Sequence, residues 1–224
     1  MTAEDSPLRM TIHSMPSPGL DEHARRTASG RLKMGLVLLI CALPVIASYF
    51  SFYVIKPQSR ANYSELIQPL RPMPEDLALS ELSGAAVKAS SLRGQWLLVV
   101  VSAGHCDEAC ERLLWLQRQL REAVGRDKER IDKVWLIHDT AMPAQRTLAA
   151  VNAGAVARLL RIAPDSLARW LQPAAGHKIE QHLYIVDPMG NWMMRAPADP
   201  EPARLKRDLE RVLQASSSWD APGR

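Results

Sequence analysis

Hydrophobic positions along the chain fall into three textures, and each predicts a different element. From Met34 to Ile55 the run MGLVLLICALPVIASYFSFYVI carries no charge. At about 1.5 Å per residue it makes a helix of roughly 33 Å, matching the hydrocarbon core of a bilayer. It predicts a transmembrane helix, in which Pro44 is tolerable because neighbours and local geometry can re-satisfy the freed carbonyl. Gln95 to Ser102 (QWLLVVVS) is apolar at nearly every position, the pattern of a strand covered on both faces and therefore central in a sheet. Between Ala109 and Val124 the apolar residues 109, 110, 113, 116, 120 and 124 recur every three or four positions, with Glu111, Arg118, Arg121 and Glu122 between them. That spacing predicts an amphipathic helix packed on the sheet.

The remaining pattern is of short strands and helices. Leu77 to Leu82 and Val87 to Leu92 flank Ser83-Gly84 and predict a hairpin. Ile131 to His138 reads as a strand, Ala144 to Leu160 as largely helical and Ser166 to Leu171 as a short helix. His182 to Val186 turns through Asp187-Pro188-Met189-Gly190 into Asn191 to Arg195, and Pro200 to Gln214 makes a closing helix with Leu205, Leu209, Val212 and Leu213 on one face. This order gives an α/β fold that mixes parallel crossovers with an antiparallel hairpin. The predicted fold class is therefore α/β, a thioredoxin-like fold preceded by a single transmembrane helix. The expected organisation is a disordered tail over 1–33, the anchor over 34–55, a Pro-rich extended linker over 56–74, the folded domain over 75–215 and a flexible tail over 216–224.

Composition narrows the class further. Of 224 residues 47% are hydrophobic and 23% charged, with three Cys, which excludes disordered, collagen-like and disulfide-stapled chains. The net charge of +4 is not gathered in a basic block, so no nucleic-acid partner is expected. Arg25, Arg26, Arg31 and Lys33 precede the apolar run, against Lys56 and Arg60 after it. The positive-inside rule places the N-terminus in the cytoplasm and the C-terminal domain in the periplasm of a bacterium, across the inner membrane. A cleaved signal peptide is the competing reading, but the run is long for one and no A-x-A site follows. No Ser-His-Asp, P-loop or dinucleotide motif is present.

The chemistry lies in SAGHCDEACERLL, where Cys106 and Cys110 fall at the junction of the central strand and the amphipathic helix. In open α/β sheets that edge is where sites form. A spacing of four puts both sulfurs on one side of the first turn, within reach of one metal ion or of each other. The helix N-terminus favours thiolate, the form that binds metal and attacks disulfides. Two thiolates suit Cu(I), and an added imidazole extends the site to Cu(II); an inert bridge closing a tiny loop is the bland alternative. Cys41, inside the apolar run, reads as a small packing residue.

These residues resemble a known family. GQWLLVVVSAGHCDEACERL, Gly94 to Leu113, is similar to the strand-loop-helix of the Sco/SenC proteins, as are VWLIHDTAMP and LYIVDPMGNW to that family's next strand and hairpin. The resemblance spans about 75 to 213. It implies a membrane-anchored, thioredoxin-like protein that delivers copper to the copper-site subunit of cytochrome c oxidase, or exchanges copper with another carrier, or reduces thiols there. Cys106 and Cys110 would then be both the sulfur ligands and the redox pair. The family's prolines after each Cys are Asp107 and Glu111 here, and its third ligand, a His, falls on Ile179. His182 and His177 bracket that position and are the candidates for the ligand. His105 has a counterpart without a ligand role, His138 ends a strand, and Met193, Met194 and the tryptophans are assigned to packing or interface. A metal-free thiol-disulfide oxidoreductase and a non-catalytic docking protein of the oxidase assembly machinery are the alternatives.

Overall fold

The computed structural model of the protein describes residues 20–51, 53 and 62–217. The first 19 residues of the expected tail, the end of the expected anchor, the start of the expected linker and the last seven residues lie outside the described residues. The chain divides into two units, Met1–Ser59 and Arg60–Arg224. In the first, helix α1 (Leu20–Phe50) contains Pro44. Its part Gly30–Phe50 has a mean hydropathy of 2.0 and is long and apolar enough to cross a membrane. The helix starts well before Met34, inside the stretch expected to be disordered. Residues 20–33 are rich in Ala, Arg and Leu and hold a single Gly, a composition that favours helix.

The second unit is built on an eight-stranded sheet. Its strands are β1 (Glu65–Pro72), β2 (Leu79–Glu81), β3 (Ala86–Val87), β4 (Trp96–Ser102), β5 (Ile131–Ile137), β6 (Arg158–Ile162), β7 (Leu183–Val186) and β8 (Asn191–Arg195), in the spatial order β1-β8-β7-β4-β5-β6-β2-β3. β4, β5 and β6 run parallel, and the other pairings are antiparallel. The helices are α2 (Glu108–Ala123), α3 (Gln145–Val151), α4 (Pro164–Trp170) and α5 (Pro202–Ala215).

The apolar run of β4 is buried at all seven positions, and its period of two divides the core. Trp96, Leu98 and Val100 join α2 and α5 in one cluster, whereas Leu97, Val99 and Val101 join Leu167 and Trp170 of α4 in the other. Each fully buried large side chain contributes on the order of 2 kcal/mol, so this strand is the keystone of both layers. The β7–β8 hairpin closes through Gly190, whose φ of 91° requires glycine. The buried Asp187 carboxylate accepts from Asn191 N–H (2.7 Å) and from the Asn191 side-chain amide (2.8 Å) across the same turn.

Three elements differ from the sequence reading. The expected linker contains an edge strand, β1, paired with β8, and Met73 behind it is buried. The folded domain therefore begins before Glu75. Prolines 69 and 72 are compatible with a strand there because an edge has one unpaired side. The expected helix from Ala144 to Leu160 is α3 alone, ending near Asn152 and Gly154 (φ 80°), after which β6 pairs with both β5 and β2. A short apolar run carries too little periodicity to separate helix from strand. In the β2–β3 hairpin the second arm is only Ala86–Val87, and Ala89–Leu92 coils into a 3-10 turn.

Candidate functional site

The chain leaves β4 at Ser102 and reverses over Ala103–Asp107 before entering α2. Gly104 sits so close to the loop after β5 that a Cβ there would lie 2.1 Å from Ala141 O, and its N–H donates to Asp139 Oδ1 at 2.8 Å. Only glycine fits this approach. Arg161 of β6 donates to the carbonyls of Asp139 and Ala141, so the wall against which the cysteine loop rests is itself tied to the sheet.

Cys106 takes a left-handed backbone with φ of 42°, a conformation that costs a non-glycine residue about 1 kcal/mol or more and that clusters at functional sites. Asp107 follows as the N-cap of α2, its carboxylate accepting from Cys110 N–H at 2.9 Å. An Asp where the Sco/SenC pattern has proline thus provides a cap that proline cannot. Cys106 and Cys110 are joined in a disulfide with Cα atoms 5.2 Å apart, both nearly buried.

The bridge lines a cavity of about 360 Å³ together with Ser102, His105, His138, Lys178 and Glu180. Ser102 Oγ lies 3.0 Å from Cys110 Sγ and receives the indole N–H of Trp135 at 2.8 Å. His138 Nε2 is buried and faces Glu180 Oε1 at 3.1 Å, a contact at ion-pair distance without hydrogen-bond alignment. Among the described residues no group of three or more Cys, His, Asp or Glu stands ready to hold a metal ion, and bonded sulfurs present no thiolate. Once the bridge is reduced, two sulfurs and the His138 imidazole, whose Nε2 would have to turn from the Glu180 carboxylate to a metal, line one cavity; thiolate and imidazole are ligand types that suit copper.

The histidines expected to supply the third ligand are elsewhere. His177 and His182 line a separate cavity of about 160 Å³ with Glu65, Arg195 and Ala196. His182 is fully buried; its Nε2 accepts from Ala174 N–H at 3.2 Å and its Nδ1 pairs with Ala196 O at 2.8 Å. An acceptor at Nε2 and a donor at Nδ1 define one neutral tautomer with no lone pair left for a metal. Burial holds its pKa below the usual 6.5, and the positive charge of Arg195 acts in the same direction, against the bond to Ala196. His177 packs edge-on against His182 with centroids 5.5 Å apart. The histidines that the structure places at the cysteine cavity are His105 and His138, because the 3-10 turn Ile179–Gln181 carries Glu180 towards His138 while His182 turns into the sheet.

Met194 is buried in the core and Met193 packs against it. Trp96, Trp135 and Trp192 are buried, whereas Trp115 is half exposed on α2. Sequence reasoning passed over Ser102, Trp135, Lys178 and Glu180 as site residues. For Ser102 a signal existed: in the alternation that sends Trp96, Leu98 and Val100 towards α2, residue 102 is next on that face.

A family model described as transmembrane-like, thioredoxin-like, C-terminal domain matches residues 96–216. No curated protein matches the sequence. Similar solved structures include copper-bound ScoI of Bradyrhizobium japonicum, 18% identical over 60% of this chain and 96% of that one with a TM-score of 0.43. Apo Sco1 from Thermus thermophilus is 16% identical over 70% of this chain and 98% of its own, with a TM-score of 0.47. The thioredoxin domain of a thiol-disulfide oxidoreductase from Bacteroides vulgatus is 14% identical, covering 63% and 94% with a TM-score of 0.46. Because the family model spans more than half of the chain, over the strands and helices that carry the cysteine loop, the protein belongs to the transmembrane-like, thioredoxin-like family by its C-terminal domain.

Proposed function

We propose that this protein is a membrane-tethered thiol-disulfide exchange protein of the Sco/SenC kind, whose reduced pair binds copper as cargo for maturation of the copper site of cytochrome c oxidase. The observation that carries the exchange reading is the Cys106–Cys110 bridge at the capped start of α2, opening on a cavity. A bridge so placed has one sulfur for an incoming thiol to attack and a helix start that favours the other as thiolate. Copper binding is a second use of the same groups. It is favoured by one specific observation, the His138 imidazole lining the same cavity as the two sulfurs. In this reading α1 anchors the domain to the inner membrane, with the N-terminus cytoplasmic and the domain periplasmic, supported by the cations at 25, 26, 31 and 33.

The experiment is an anaerobic Cu(I) titration of the full chain in detergent, with the bridge reduced, against a competing chelator. One tight equivalent is expected, lost in Cys106→Ala. A second arm equilibrates the protein with glutathione buffers and quantifies the dithiol. Exchange without copper binding leaves the metal-free oxidoreductase, and a bridge that neither exchanges nor, once chemically opened, binds copper leaves a docking protein.

A further inference from the structure

The cysteine cavity contains one hydroxyl whose position nothing in the proposed function uses. Ser102 ends β4, is buried, and touches Cys110 Sγ, Trp135 Nε1 and Ala103 O at 3.0, 2.8 and 3.0 Å. A disulfide sulfur has no proton, so towards Cys110 the hydroxyl is the donor. An indole N–H only donates, so Trp135 occupies a lone pair of Oγ and leaves its single proton to choose between Ala103 O and Cys110 Sγ. The main-chain N–H of Cys110 is already committed to Asp107. Among the described residues no hydrogen bond reaches Cys106 Sγ.

We propose that Ser102, oriented by Trp135, makes Cys110 the departing sulfur whenever a thiol opens the bridge. This rests on the exchange reading above and adds the group that receives the departing sulfur. An incoming thiolate attacks Cys106 Sγ and forms a mixed disulfide there. The Cys106–Cys110 bond breaks and its electron pair moves to Cys110 Sγ. As negative charge grows on that sulfur, the Ser102 proton turns from Ala103 O to it, exchanging a neutral hydrogen bond for a charge-assisted one about twice as strong. A second thiolate then attacks the non-protein sulfur of the mixed disulfide and releases the oxidised thiol pair and the Cys106 thiolate. Two thiols are oxidised and one disulfide is reduced by two electrons. Ser102 touches the reacting atom and is catalytic; Trp135 acts through Ser102 and is a positioning residue.

The test is opening of the oxidised full-length chain in detergent micelles by reduced glutathione, quenched with acid, alkylated and mapped by mass spectrometry. In the wild type the glutathione adduct is expected on Cys106, with the alkyl group on Cys110. Ser102→Ala is expected to slow opening about tenfold, the order of one hydrogen bond to a charged group, and to divide the adduct between the two cysteines. Ser102→Thr restores the rate, and Trp135→Phe gives an intermediate rate. A wild-type adduct on Cys110, or Ser102→Ala opening at the wild-type rate, overturns the proposal. Should Ser102→Ala fail to fold by circular dichroism, Trp135→Phe decides: slowed opening supports the role of the hydroxyl, and an unchanged rate overturns it. A wild-type bridge that glutathione does not open at all overturns the exchange reading itself and this proposal with it, a result distinct from either of the others.

Discussion

At the head of α2, the cavity around Cys106 and Cys110 holds an imidazole whose Nε2 meets only a neighbouring carboxylate, without hydrogen-bond alignment, and a serine hydroxyl with one proton and two acceptors. Beside β7 and β8, the cavity around His182 holds an imidazole in the opposite condition, since both ring nitrogens are bonded to main chain and the ring is shut from water. Both places attracted ligand assignments from sequence. The contrast separates them physically. A polar group whose capacity is used up by its own fold is a structural part, and one with capacity to spare, next to a reactive bond, is equipped for chemistry.

That contrast can be broken first at His182. His182→Ala leaves Ala174 N–H and Ala196 O without partners inside the fold, a loss of about 3 kcal/mol in urea unfolding. The rate at which glutathione opens the bridge is expected to stay within about twofold; a selective collapse of that rate in folded protein would place His182 in the site after all. The same residue gives a pH signature. The folded state keeps His182 neutral below the pH at which the unfolded chain protonates it, near 6.5. Stability from this group is therefore complete above that pH and is lost as the pH falls, by at most about 1.4 kcal/mol per unit. Urea midpoints from about pH 7.5 down to about pH 5.5 should fall more steeply for the wild type than for His182→Gln.

The other side of the contrast is sharpened by His138→Ala. Unfolding should move by less than about 1 kcal/mol, because what is lost is one half-exposed contact between Nε2 and the Glu180 carboxylate. Cu(I) affinity of the reduced pair in a chelator competition should fall about tenfold or more, as a soft three-donor site becomes a two-donor one. Unchanged affinity would assign copper to the two sulfurs alone. The smallest effect is expected for His177→Ala, below about 0.5 kcal/mol in stability and within about twofold in copper affinity, as for an exposed side chain away from the site.

What was legible follows from periodicity. β4 and α2 announce themselves because a run covered on both faces and a 3.6-residue spacing each leave a long, regular trace, and their junction fixed where the cysteines would lie. β1 was hidden because an edge strand with prolines shows neither alternation nor a continuous apolar run, and its burial is slight throughout. β6 was hidden because RLLRI is five residues long, too short to show a period, although Asn152 and Gly154 were a readable stop for the helix before it. The Asp107 cap was readable as an Asp before a helix start. Its bond to the Cys110 main chain, which withdraws that N–H from the sulfur, was not.

The sequence by itself determined the anchor-like helix, the central strand, the amphipathic helix behind it and the cysteine pair between them, because each depends on residues close together in the chain. Only the tertiary structure decided which side chains meet that pair. Trp135 reaches Ser102 across 33 residues because β4 and β5 lie side by side in parallel register. His138 lines the cysteine cavity and His182 a different one because the chain approaching β7 turns one imidazole into the sheet and leaves the other at its edge. Contacts of that kind are set by strand order and loop path, which local spacing does not encode.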